Sequence, residues 1–148
     1  MIEFLKQSAF VTAVIAWFVA QVIKVITVLI AEKKFDFSRF VGSGGMPSSH
    51  SAFVTSLAVA IGFSSGFSSE LFSVAAVLAL IVMYDAAGVR RAAGEQAKIL
   101  NILIEEWGRQ NYKNTEVRLK ELLGHTPMQV IAGALLGTAI AIFRYLGM

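Results

Sequence analysis

Two stretches of this chain, residues 41–69 and 126–143, contain no Lys, Arg, Asp or Glu. That absence limits the fold more than any other feature, because a soluble helix of such length needs a charged face towards water. A soluble helical core is the plain alternative, but 56% hydrophobic residues over 148 positions is too apolar for an ordinary soluble domain of this size. Lipid is therefore the expected solvent. Four membrane segments can be drawn, at residues 4–30, 51–67, 71 to about 89, and 127–146. Spanning takes about 17 to 25 residues, so the second and third reach across only where the bundle is thin or tilted. The first run is longer than a signal-peptide core and lacks a small-x-small cleavage pattern, so it reads as a retained helix. The expected fold is an all-α integral membrane bundle of about four spanning segments, with residues 1–148 as a single membrane-embedded domain.

The charged residues sit in the connections. Lys33, Lys34 and Arg39 follow the first segment, and seven basic residues occupy positions 90–120, against Lys6 and Arg144 at the other side. The positive-inside rule then puts both basic connections in the cytoplasm and both termini outside. That distribution accounts for the net charge of +3 without nucleic acid, which is not expected as a partner. Within the long connection, residues 92–107 place Ile99, Leu100, Leu103, Ile104 and Trp107 at helical spacing between Glu95, Lys98, Glu105 and Glu106. This predicts an amphipathic helix on the membrane surface. A second short helix is expected at about residues 115–123, where Glu116 precedes Lys120 by four and Gly124 ends the run. With no cysteine and two histidines, disulfides are excluded and neither a metal site nor another cofactor is expected.

Those two histidines open the chemistry. His50 lies in Gly44-Gly45-Met46-Pro47-Ser48-Ser49-His50-Ser51, a glycine-rich turn entering a membrane helix. Glycines allow close backbone approach, Pro47 suits a first helical turn, and free amides there favour an anion such as phosphate. A serine-capped loop with an interfacial histidine is the structural alternative. His125 lies in Gly124-His125-Thr126-Pro127, where Thr126 can cap and Pro127 can start the last segment. Each motif alone can be simple capping, but both place a histidine at a helix start on the same membrane face. A pair of imidazoles can supply a nucleophile and a proton donor.

Two cationic features join them. Asp85, Arg90 and Arg91 close the third segment on that face, where arginines can fork onto phosphate oxygens and an Asp85–Arg90 ion pair is the structural alternative. Lys24 sits about two turns inside the first segment, with Gln21 one turn further, and an intramembrane lysine either snorkels or serves a site. Finally, Ala52, Ser56 and Ala60 repeat every four residues, as do Gly133, Gly137 and Ala141. Such stripes let helices approach closely, either pairing the second and fourth segments or forming a homo-oligomer.

The stretches GGMPSSHSA (44–52), DAAGVRRAAGEQA (85–97) and LKELLGHTP (119–127) resemble the type 2 phosphatidic acid phosphatase and vanadium haloperoxidase superfamily, in its small divergent branch, over residues 21–137. The resemblance implies a metal-free phosphomonoesterase in which His125 attacks phosphorus and His50 protonates the leaving oxygen. Lys24 and Arg39 look like the cations of its first motif, more widely spaced and without the following proline. Ser48 and Ser49 match its phosphate cradle. No arginine stands six residues before His125, so Arg90 or Arg91 would supply that charge. Gln129 occupies the place of the family carboxylate that orients the nucleophile, and Asp85, then Glu121, is the substitute the sequence offers.

The expected function is hydrolysis of a lipid phosphate in the cell membrane, at a site facing the cytoplasm. Phosphatidylglycerophosphate, phosphatidic acid and polyprenyl phosphates are the expected substrate classes. A non-catalytic lipid or phosphate binder and a small transporter subunit are the rivals, and the second would tolerate loss of both histidines.

Overall fold

A computed structural model describes residues 8–32, 45–111, 119 and 124–147. Arg39, Glu121, the lysines at 33 and 34 and the expected short helix at 115–123 lie outside the described residues. Within them the chain is helical: α1 (Ala9–Glu32), α2 (Ser49–Ser65), α3 (Glu70–Ala87), α4 (Val89–Asn111) and α5 (Pro127–Leu146).

The packing follows a membrane logic, with small residues inside and large ones outside. Ala13, Ala16, Ala20, Ala52, Ala58, Ala75, Ala79 and Ala141 are buried, while Phe10, Phe18, Ile30, Leu80, Ile81 and Phe143 are exposed. Three helices are long and apolar enough to cross a membrane: α1, α3 with its continuation into α4, and α5. The fourth, α2, has 17 residues and would be about 25 Å long, short of a hydrocarbon core of about 30 Å. It sits centrally, against α1, α3 and α5. Neighbours rather than lipid surround it, and hydroxyls in its middle reach carbonyls. Thr55 donates to Ser51 O at 2.7 Å and across to Ala134 O on α5 at 3.3 Å, and Ser56 donates to Phe53 O at 2.9 Å.

The glycine stripe of α5 is used within the chain. A Cβ on Gly133 would stand 2.2 Å from Ser48 O, and one on Gly137 would stand 2.3 Å from Ala52 O. The two helices therefore run in contact along their first turns, as the small-residue spacing implied, and they stay together at the far end. There Phe63 and Tyr145 stack with ring centres 4.6 Å apart, and the Tyr145 hydroxyl donates to Phe63 O at 2.6 Å. Parallel packing of α2 and α5 is what brings their N-terminal residues to one end of the bundle.

Two local expectations need correcting. Pro47 is not in the first helical turn: it precedes Ser48, whose Oγ accepts from Ser51 N and caps α2, so the helix starts at Ser49. A short polar hydroxyl offered the free amides a better partner than a proline start. The third segment and the amphipathic helix are also nearly continuous, broken at Gly88 alone. The amphipathic reading itself holds, with Ile99, Leu100, Ile102 and Leu103 exposed on α4.

Candidate functional site

Four segments meet at the end of the bundle where α2 and α5 begin. The last turn of α3 and the break at Gly88 supply Asp85, Ala86, Arg90 and Arg91; the loop before α5 supplies Gly124 and His125; the start of α2 supplies His50; and α1 supplies Lys24. Gly124 makes the meeting possible. Its φ of +86° belongs to the left-handed region, and a Cβ there would lie 2.4 Å from Arg91 N, so both conformation and space demand glycine. The next amide, His125 N, donates to Ala86 O at 2.9 Å. The histidine is thereby fastened to the end of α3 before α5 begins.

Thr126 and Pro127 start α5 as the sequence indicates. Thr126 accepts from Gln129 N, Pro127 is the first helical residue, and the Gln129 side chain returns to Thr126 N in a capping box. That box decides the tautomer of the neutral ring. Thr126 N can only donate, so the side-chain atom of Gln129 facing it at 3.0 Å is the oxygen, Oε1. The same oxygen faces His125 Nδ1 at 3.3 Å, so Nδ1 carries the hydrogen and donates it. Nε2 then holds the bare lone pair. It is buried and has no hydrogen-bond partner. Gln129 also takes Ser48 N on its main-chain carbonyl at 3.0 Å, tying the start of α5 to the serine-rich turn.

His50 and His125 lie with ring centres 6.2 Å apart and planes at 56°. Together with Val82, Asp85, Ala86, Arg90 and Gly124 they line a cavity of about 20 Å³, room for about one water. His125 is 3% exposed, and burial is the main reason its pKa lies below the usual histidine value. The hydrogen bond it donates to Gln129 works against that, while the charges of Lys24, His50 and Arg90 add to it. Its neutral form is the one favoured at pH 7.

The other sequence-derived residues divide. Asp85 is in the cavity wall, but its Oδ2 takes Arg90 Nε at 2.7 Å, and it is Gln129 that holds His125. The expected contact of Asp85 with His125 is not made in this structure: its nearest cation lies just across the Gly88 break and pairs with the carboxylate. Arg90 reaches the cavity, whereas Arg91 is exposed and contributes its backbone to the contact with Gly124. Lys24 is 1% exposed, packs its stem against Gly45, and its charge acts on both histidines. Ser48 and Ser49 are buried behind the cavity rather than in its wall, with the Ser48 hydroxyl engaged by Ser51. Among the described residues no three His, Asp or Glu side chains gather as metal ligands would.

One residue escaped the sequence reading, and Gln129 was read there without its capping role. Gln129 was legible: Thr126 and Gln129 stand three apart, the capping-box spacing. Asn101, an amide among the apolar residues of α4, clamps Leu119 with both side-chain atoms, donating to Leu119 O at 2.9 Å and accepting from Leu119 N at 2.8 Å. It fastens Leu119 to α4.

An all-helical membrane bundle with a buried, bare-nitrogen histidine opposite a second histidine and an arginine is the class that fold and site define. Within it, the chain belongs to the divergent PAP2 family, whose sequence profile matches residues 5–140. It is similar to the "Uncharacterized membrane protein YuiD" of Bacillus subtilis (strain 168), with 41% identity over 150 residues covering 95% of each chain. No solved structure matches it significantly. The resemblance read from the three motifs is thereby established at the level of the family.

Proposed function

We propose that the chain is a membrane lipid-phosphate phosphatase working through a phosphohistidine. The observation that carries this reading is the buried, unpartnered Nε2 of His125, left with a free lone pair by Gln129, on a residue that lines one cavity with His50 and Arg90. His125 Nε2 forms a bond to phosphorus while the bond from phosphorus to the lipid oxygen breaks, and His50 gives that oxygen its proton. Water, deprotonated by His50, then attacks the phosphohistidine and releases inorganic phosphate. Arg90 and Lys24 neutralise the phosphoryl oxygens, with Arg39, Arg91, Ser48 and Ser49 as further contacts once substrate is bound.

A cavity fit for one water does not take a phosphate, so Arg90 must leave Asp85 on binding. Arg90 exchanges one pair of oxygens for another, and Asp85 keeps it at the cavity until then. The substrate classes are phosphatidylglycerophosphate, phosphatidic acid and polyprenyl phosphates, whose tails remain in the bilayer. The direct test is phosphate release from a panel of these lipids by purified protein in detergent with chelator present. Release that needs His125 supports the reading, and no release from any lipid rejects it. A non-catalytic phosphate-lipid binder is the second reading, favoured by a neutral glutamine on His125 where a carboxylate would stabilise the imidazolium.

Gln129 itself gives a test of the tautomer argument. Gln129→Leu should lower turnover about 10²- to 10⁴-fold, the scale seen when a histidine loses the partner that fixes its tautomer. Gln129→Glu, which can still accept from both Thr126 N and His125 Nδ1, should retain or raise activity. Asp85→Asn should cost less than Gln129→Leu. An equal or larger loss for Asp85→Asn, in folded protein, would return the orienting role to Asp85.

The basic connections support a site facing the cytoplasm, within the cell membrane. Since the chain has no cysteine, single cysteines report topology cleanly. Ser68→Cys, in the exposed turn between α2 and α3, should react with an impermeant maleimide on intact cells, and Lys98→Cys only after permeabilisation. The reverse pattern contradicts the orientation. The α5 glycines are already packed against α2, so a homo-oligomer would use another face.

A further inference from the structure

At the end of the bundle opposite the histidines, α1 and α5 part to leave a groove of about 760 Å³. Its walls are Ile15 and Val19 from α1 and Ala139, Ile140 and Phe143 from α5, with Arg144 at the outer end. The recess exists because fully buried Ala16 and Ala20 fill little space on α1, and Ile140 packs down onto them. We propose that this groove binds the acyl chain of an anionic phospholipid whose headgroup phosphate is held by Arg144.

The shape and charge select that occupant. From Ala139 to Gly147 the groove runs about 12 Å along α5, at ~1.5 Å per residue. Its volume lies within the ~300–1,000 Å³ typical of ligand pockets. Apolar walls ending in one cation match an amphiphile with its negative head at the interface and its chain pointing inwards. A plain helix from a second copy would cover the walls and leave the guanidinium against hydrocarbon, which is costly. Arg144 is half-buried and also engaged within the chain, which steadies a fork of five donors suited to phosphate oxygens. The groove is distinct from the catalytic cavity. Ala139 stands about 18 Å along α5 from Pro127, so the occupant belongs to the leaflet opposite the histidines.

Native mass spectrometry of protein released from bilayers of equal phosphatidylglycerol and phosphatidylcholine tests this. Wild type should retain one phosphatidylglycerol with at least about tenfold preference, because the choline of phosphatidylcholine offsets the phosphate charge that Arg144 meets. Arg144→Gln should bring that preference close to one. Ala139→Trp, which fills the groove, should lower retention of both lipids, and His125→Ala should change neither. Helical content by circular dichroism confirms that each variant is folded. Preference unchanged in Arg144→Gln overturns the proposal, as does retention lost in His125→Ala, which would put the lipid in the catalytic cavity. A dimeric mass that Ala139→Trp abolishes would make a second copy the occupant. Lipid retention that rises several-fold on removal of residues 1–7 would assign the groove to that segment instead.

Discussion

Replacing His125 with alanine is expected to abolish phosphoenzyme formation and lower lipid-phosphate turnover by about 10⁴-fold or more, the range found when a nucleophile is removed from groups that act as a unit. The expectation rests on the one nitrogen in the cavity that is both buried and unpartnered, His125 Nε2, with the opposite ring nitrogen committed to Gln129. No other described side chain in the cavity wall combines a lone pair with that geometry. Asp85 is held by Arg90, and His50 is the proposed proton donor. Rapid quenching without acid, using labelled lipid phosphate and mass mapping, should place the label on His125. The same residue sets the acid limb of the rate. Burial keeps the folded pKa of His125 below its unfolded value near 6.5, so its nucleophilic form persists somewhat below pH 6.5. The rate of the first step should fall only as pH drops through that lowered value. Over the same interval the unfolded chain binds the proton more readily, so stability falls as well. Full activity in a folded His125→Ala protein would remove phosphohistidine chemistry on this residue.

How much of this could be read from residues alone depends on the range over which each cause acts. Charge-free runs set against basic connections are a property of whole segments, so the membrane bundle was legible. So was the approach of α2 to α5, since glycines and alanines four apart leave few other uses for one helix face. The start of α5 was legible because Thr126-Pro127 is a local cap, whereas the start of α2 was misplaced by two residues because Ser48 and Pro47 compete for the same place. The partner of His125 was not legible from charge. A carboxylate is the better electrostatic partner in principle, but Asp85 meets Arg90 five residues away before anything else, and Gln129 lies one helical turn from His125. Reach decided the pairing. The burial of Lys24 beneath Gly45 is likewise a three-dimensional fact, since position in a segment does not tell a lysine that snorkels from one that turns inwards.

His50→Ala should fail in a different way from His125→Ala, and the difference identifies its role. With its ring centre 6.2 Å from that of His125, His50 is the residue that, in the proposed mechanism, meets the leaving lipid oxygen of a phosphoryl group attacked by His125. Loss of a proton donor in such a position costs about 10²- to 10⁴-fold for an alkyl leaving group, whose oxygen is too basic to depart as an anion. A phosphoryl group on a phenol of low pKa needs no proton, so His50→Ala should be much less impaired in forming the phosphoenzyme from p-nitrophenyl phosphate. Its second step still requires a base to activate water, so phosphohistidine should accumulate on His125 in this variant and decay slowly. His125→Ala, in contrast, should be equally inactive with both substrates and leave no label. If His50→Ala loses the same factor on both leaving groups and accumulates nothing, His50 is a structural or binding residue. If label appears on His50 when His125 is absent or intact, the two histidines exchange roles.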